Sequence, residues 1–286
     1  MPTTVHAEVL LDGLCIGESP RWHADRLWFA HWGTGEVVAL DMQGNSEVVA
    51  NGPPGLGWSI AWLPDNRLLV TGKELSRQEP DGSIVRHAEL ADIATKGWNE
   101  IVVDARGSVY VNGMGFRFGQ DEFQPGIIVL VTPDGSARQV ADDIAFPNGM
   151  VITPDGSTLV ISESFARKLT AFDIAADGGL SNRREWAGGI GPDGICVDAE
   201  GAIWTGSGEN ACVRVRDGGE ILDRVELDAP PFACMLGGPD GRTLFIMTAD
   251  WHMDEDPADN MARLTTGPRT GRVLIVRAPA PHAGWP

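Results

Sequence analysis

Six short segments of the 286-residue chain each open on a residue with something to offer chemically: Glu18, Ser59, Asn99, Asn148, Asp193 and Cys234. The set holds two carboxylates and two carboxamides. Brought to one place, the carboxylates repel each other and lose hydration, so they need a cation beside them. Carboxylate and carboxamide oxygens without thiolate or imidazole suit a hard ion: calcium first, with magnesium or manganese behind it and zinc also open. Three or four protein oxygens leave positions for water or substrate, which is the open, catalytic type of metal site.

The elements that must position these residues form a repeat. The segments are Glu18–Phe29, Ser59–Val70, Asn99–Val111, Asn148–Val160, Asp193–Trp204 and Cys234–Phe245, starting 41, 40, 49, 45 and 41 residues apart. That spacing is close to the roughly 40–50 residues of a four-stranded propeller blade. Each segment reads as a hairpin, with turns such as Pro154-Asp155-Gly156 and Asp198-Ala199-Glu200-Gly201 placing Pro at a fixed φ and Gly where φ is positive. Second hairpins follow, as at Gly126–Val131 before Pro133-Asp134-Gly135. The pattern predicts an all-β, six-bladed β-propeller with four antiparallel strands per blade, one domain over residues 1–286. Its ring closes through the terminal strands Val5–Leu11 and Arg272–Val276.

In such a ring the first strand of each blade lines the channel, so the six leading residues converge on one end of the axis. Second-strand ends return to the same face, which makes His31, Glu163 and Ser207 candidates for the pocket wall. Trp32, Trp58, Trp98, Phe116 and Phe146 flank these positions, and Cys234 reads as a small packing residue. Two segments exceed the period, Phe116–Pro125 and Trp251–Gly271. Insertions of this length sit on a surface and serve as lids, binding loops or plain solvated loops.

Composition narrows the partners. Forty acidic against 22 basic residues give a net charge of −18, which repels nucleic acid and anionic membrane surfaces. The N-terminus carries no basic stretch ahead of an apolar region, and runs such as Ile127–Val131 are too short to span a bilayer. Cys15, Cys196, Cys212 and Cys234 show no CxxC spacing, so reduced, buried thiols in a soluble cytoplasmic protein are expected. No GxSxG, GxxxxGK[ST] or HExxH motif is present.

Four motifs, Gly17-Glu18-Ser19-Pro20-Arg21-Trp22, Trp98-Asn99-Glu100, Phe146-Pro147-Asn148-Gly149-Met150 and Pro192-Asp193-Gly194-Ile195-Cys196-Val197-Asp198, resemble in this order the SMP-30/gluconolactonase/regucalcin-like family over nearly the whole chain. The resemblance implies one divalent metal, commonly calcium, on Glu18, Asn148 and Asp193, with Asn99 at the metal or substrate, and lactone hydrolysis as the activity. The expected site therefore has Asp193 as ligand and base, with Asn99, Ser59, Trp98, Phe146, Glu163, His31 and Phe116 around a small lactone or ester. His31 stands where relatives often carry Asp. Gly113-Met114-Gly115-Phe116-Arg117-Phe118 is unlike the corresponding segment of the sugar-lactone enzymes, so a less polar substrate is expected. A divergent esterase or phosphotriesterase, or a calcium-binding propeller without turnover, are the alternatives.

Overall fold

The computed structural model describes residues 7–94, 96–252 and 254–285. It is a six-bladed β-propeller: six sheets of four antiparallel strands, each running in sequence order from the axis outward except the last. Blades 1 to 5 span residues 16–51, 60–86, 98–144, 147–188 and 196–226. Blade 6 takes three strands from 231–277 and its outer strand, Glu8–Leu14, from the other end of the chain. The closure expected from the terminal segments is thus present, with Val5 and His6 outside the described residues.

The six inner strands are Ile16–His23, Ile60–Trp62, Trp98–Val103, Pro147–Ile152, Cys196–Val197 and Pro231–Gly237. Each touches the next in cyclic order, and the last touches the first. The apolar cores lie between blades. One is shared by blades 2 and 3 (Leu69, Ile101, Val111), one by blades 3 and 4 (Tyr110, Leu130, Ile152) and one by blades 4 and 5 (Val160, Leu169, Ile203). Blades 5, 6 and 1 share the largest, around Trp204, Phe245 and Phe29. A blade buried on both faces needs apolar residues on both, which is why the inner strands of blades 3 and 4 are buried along their whole length.

The hairpin turns point to the end of the channel away from the leading residues. There the C-terminal tail crosses blades 4 and 5, with the Ile152 amide donating to the Trp285 carbonyl at 2.7 Å and the Ala199 amide to the Pro281 carbonyl at 2.8 Å. At the opposite end the 251–271 insertion is not a bare loop: Pro257–Thr266 is a helix, α1. Asp256 caps it by accepting from the Ala258 amide, and Pro257 occupies the first turn, where its missing N–H costs nothing. Its Leu264 packs with Ile16 and Ala249, against Trp32, Leu56 and Trp251.

Candidate active site

The leading ends of the inner strands depart from regular pairing. Register breaks fall between Glu18 and Arg21, between Trp98 and Ile101, and between Pro147 and Met150. A break of this kind lifts the strict alternation of a strand and re-aims side chains. On blade 3 it lets Asn99 and Glu100 both serve the channel, while Trp98 turns into the core between blades 2 and 3, beside Leu75 and Ile101.

Three carboxylates gather on the axis. Glu18 is 3% exposed, and burial holds its carboxyl well above the usual range, with Asp193 and then Glu100 adding repulsion. Asp193 keeps part of its surface open to the channel. Burial and the Glu100 charge push its carboxyl up to about 8, against hydrogen bonds from the Asn148 side chain and the Gly194 amide. Glu100 is the functional candidate that sequence reasoning missed. Its Oε2 accepts from Ser59 Oγ at 3.1 Å and from Arg21 Nη2 at 3.2 Å. Arg21 crosses from blade 1 to do so and also donates to the Ile101 carbonyl at 2.9 Å. Ser19 Oγ, hydrogen-bonded to Ser59 Oγ, accepts from the Ile60 amide. The buried arginine therefore pairs with Glu100 and offsets part of the repulsion on Glu18.

Asn148 and Asp193 are set by close approach of blades 4 and 5. A Cβ on Gly149 would stand 2.7 Å from the Asp193 carbonyl oxygen and from the Ile195 nitrogen, so only glycine allows the two strands this near. Asn148 Nδ2 donates to Ser164 Oγ at 3.3 Å, and Ser164 Oγ donates to the Pro192 carbonyl at 2.8 Å. Ser162 Oγ donates to the Asp193 carbonyl at 2.7 Å, and the Gly194 amide to the Phe232 carbonyl at 2.8 Å. From blade 3, Asn112 Nδ2 donates to the Asn148 carbonyl at 2.8 Å and Asn99 Nδ2 to the Pro147 carbonyl at 3.2 Å. Backbone and side chains of four blades thus converge on Glu18, Asn99, Asn148 and Asp193.

The other expected site residues have different surroundings. His31 Nε2 accepts from the amide of Cys15, which follows the closing strand, at 3.0 Å, and Nδ1 faces Glu36 Oε2 of its own blade at 3.3 Å. Glu163 accepts from the Ala145 amide at 2.8 Å and Arg183 Nη2 at 2.9 Å, with Thr170 Oγ1 also on it. Burial would raise its carboxyl, but these bonds outweigh burial and hold it below its ordinary value. Cys234 donates to the Trp204 carbonyl at 3.2 Å and lies 4.0 Å from Cys196 Sγ, a packing thiol that burial pushes up. Trp98 is core. Phe116 and Phe146 belong to an aromatic group at the channel mouth, 5.7 Å apart between ring centres.

Among the described residues no three His, Cys, Asp or Glu side chains form a metal cluster. The donor set here is of another kind, two carboxylates and a carboxamide. It fits a hard cation: burial first, and neighbouring carboxylates second, hold Glu18 and Asp193 above their normal range, while the hydrogen bonds of Arg21 go to Glu100 and backbone carbonyls.

The family model described as SMP-30/gluconolactonase/LRE-like region matches residues 16–250. The chain belongs to that family. It is 27% identical to the pentonolactonase of Haloferax volcanii over 84% of each chain, and 30% identical to the regucalcin of Xenopus laevis over 84% of this chain and 85% of that one. Among solved structures it resembles a luciferin-regenerating enzyme (TM-score 0.82, 19% identity, 98% of both chains) and the regucalcin of Agrobacterium tumefaciens (TM-score 0.76, 23% identity, 98% and 97%). At those identities the two structures speak for the fold.

Proposed function

We propose that the chain is a metal-dependent lactonase, opening a cyclic ester at the end of the channel where Glu18, Asn99, Asn148 and Asp193 meet. The observation that carries this reading is the pair Glu18 and Asp193, brought together on the axis with both carboxyls pushed up by burial and by neighbouring carboxylates. It is supported by family relatives named for lactone hydrolysis, the pentonolactonase and the 6-deoxy-6-sulfogluconolactonase of Pseudomonas putida. Glu18, Asn148 and Asp193 would hold one divalent ion, calcium first; bound there, it would supply the Lewis acidity that polarises an ester carbonyl and stabilises its oxyanion.

The remaining steps belong to the chain. Asn99 orients substrate or water by hydrogen bonding, its Nδ2 already set against Pro147. Asp193, ionised once a positive charge offsets Glu18 and Glu100, accepts the proton of the water that attacks the carbonyl carbon. When the ring C–O bond breaks, the same proton passes to the leaving alkoxide, and a hydroxy acid departs. Glu100 acts through Arg21 and Ser59, holding blades 1, 2 and 3 together below the site. The cytoplasm is the compartment we assign, on the four free cysteines.

Relatives named regucalcin support a second reading, a calcium-binding propeller without turnover. Acid release over a panel of lactones and esters, with and without chelator and with Asp193→Ala, separates the two. Turnover lost in both treatments is the expected result; turnover that survives both would end the metal-dependent reading.

A further inference from the structure

The two insertions meet over the channel mouth, and the seam between them is aromatic. The Phe116–Pro125 segment leaves blade 3; Trp251 and α1 leave blade 6, three places round a ring of six and hence opposite. Phe118 stacks on Trp251, ring centres 6.3 Å apart and planes 20° from parallel. A Cβ on Gly119 would stand 2.6 Å from Met261 Cε and 3.5 Å from the Ala258 nitrogen, so the segment lies directly on α1. Trp251 in turn meets the edge of Phe232 at 6.0 Å, and Phe118 meets that of Phe146 at 5.1 Å.

These rings stand beside the polar floor in the chain itself. Phe146 lies two residues before Asn148, in a left-handed backbone conformation (φ 63°) that a non-glycine residue adopts only when its surroundings impose it. Phe165 follows Ser164, the hydroxyl between Asn148 and Pro192, and its ring is 4.6 Å from that of Phe146. The Phe232 carbonyl holds the Gly194 amide next to Asp193. Of the charges on the blade 3 segment, Arg117 and Asp121 pair at 2.8 Å, Asp121 also meets Lys96 at 3.4 Å, and Glu122 faces solvent. Yet Phe165 is 50% exposed and Phe123 45% exposed, so the rim of the mouth offers open apolar surface continuous with the roof. Hydroxyl groups brought under such a roof would lose hydration and find few partners, whereas an aryl or alkyl group would be favoured.

Resting on the lactonase reading of the same site, we propose that the substrate is a lactone carrying an aryl or alkyl substituent. The substituent lies against Phe146, Phe165 and Trp251 while the ester group lies over Asn148 and Asp193. Non-hydrolysable lactams test recognition apart from turnover. Calorimetry on the calcium-loaded protein compares a phenyl-substituted δ-lactam with gluconolactam, and kcat/KM compares the corresponding phenyl-substituted lactone with glucono-δ-lactone. The phenyl lactam should bind at least tenfold more tightly. Phe165→Ala and Trp251→Ala should each shrink that preference threefold or more, through KM rather than kcat. Equal or tighter binding of gluconolactam, or no binding of either lactam, would overturn the inference, the first with the lactonase reading intact. Tight binding of the phenyl lactam without turnover of any lactone would uphold apolar recognition and defeat the lactonase reading instead.

Discussion

Ser164 Oγ donates to the Pro192 carbonyl at 2.8 Å, so the turn after the second strand of blade 4 fixes the residue that precedes Asp193 at the entry to blade 5. The same hydroxyl accepts from Asn148 Nδ2, which makes one small side chain the coupling between two proposed metal-holding residues. Ser164→Ala should therefore weaken calcium binding about tenfold while lowering unfolding stability by only about 1 kcal/mol, the usual net worth of a hydrogen bond. Calorimetric calcium titration beside a denaturant melt checks both. Equal affinity in the two proteins would refute the coupling.

Glu18→Gln removes one of the mutually repelling buried carboxylates. Without divalent ion the variant should melt a few degrees higher than the parent at pH 8, about 2–4 °C for each kcal/mol of repulsion relieved. With calcium the order should reverse, because the parent gains binding energy that the variant lacks. Differential scanning calorimetry in chelator and in millimolar calcium reads both signs.

Glu163 gives a pH prediction independent of any metal. Its carboxyl is held below the ordinary value, so its contribution is present above the unfolded-state value near 4.5 and is lost as pH falls through the lower folded value. Glu163→Gln should cost about 2 kcal/mol at pH 7, in the range of hydrogen bonds to a charged group. The difference from the parent should close as pH drops from about 5 to about 3. Urea unfolding across that interval measures it.

The glycine at 149 tests how blades 4 and 5 position the site. A methyl there meets the Asp193 carbonyl and the Ile195 nitrogen at 2.7 Å, backbone atoms that cannot swing aside. Gly149→Ala should destabilise by about 1–3 kcal/mol, as overpacking generally does. It should also lower calcium affinity more than Ser164→Ala does, since it moves Asp193 bodily.

The ring was legible because its period is written in turn chemistry: Pro-Asp-Gly and Asp-x-x-Gly recur at a spacing that only stacked hairpins explain. The convergence of Glu18, Asn148 and Asp193 was legible because position within that period separates them from ordinary turn residues. Glu100 was not, since regular alternation places it behind Asn99 and only the break before Ile101 brings it forward. The same break sends Trp98 into the core. Glu163 and His31 carry the side chains of acid–base residues, and their partners Arg183 and the Cys15 amide lie 20 and 16 residues away, beyond the reach of a local pattern. The contact of Phe118 with Trp251 joins residues far apart in sequence across the ring, a relationship that no local pattern holds.

The central claim is that Glu18, Asn148 and Asp193 together hold one divalent ion on which lactone opening depends. Its most direct measurement is to strip the protein with chelator, titrate calcium back, and follow heat and lactone hydrolysis in the same sample. One ion per chain should bind, and hydrolysis should return in proportion to its occupancy, with neither signal in Glu18→Gln. Hydrolysis that runs undiminished in chelator, or calcium heat unchanged by Glu18→Gln, would contradict it.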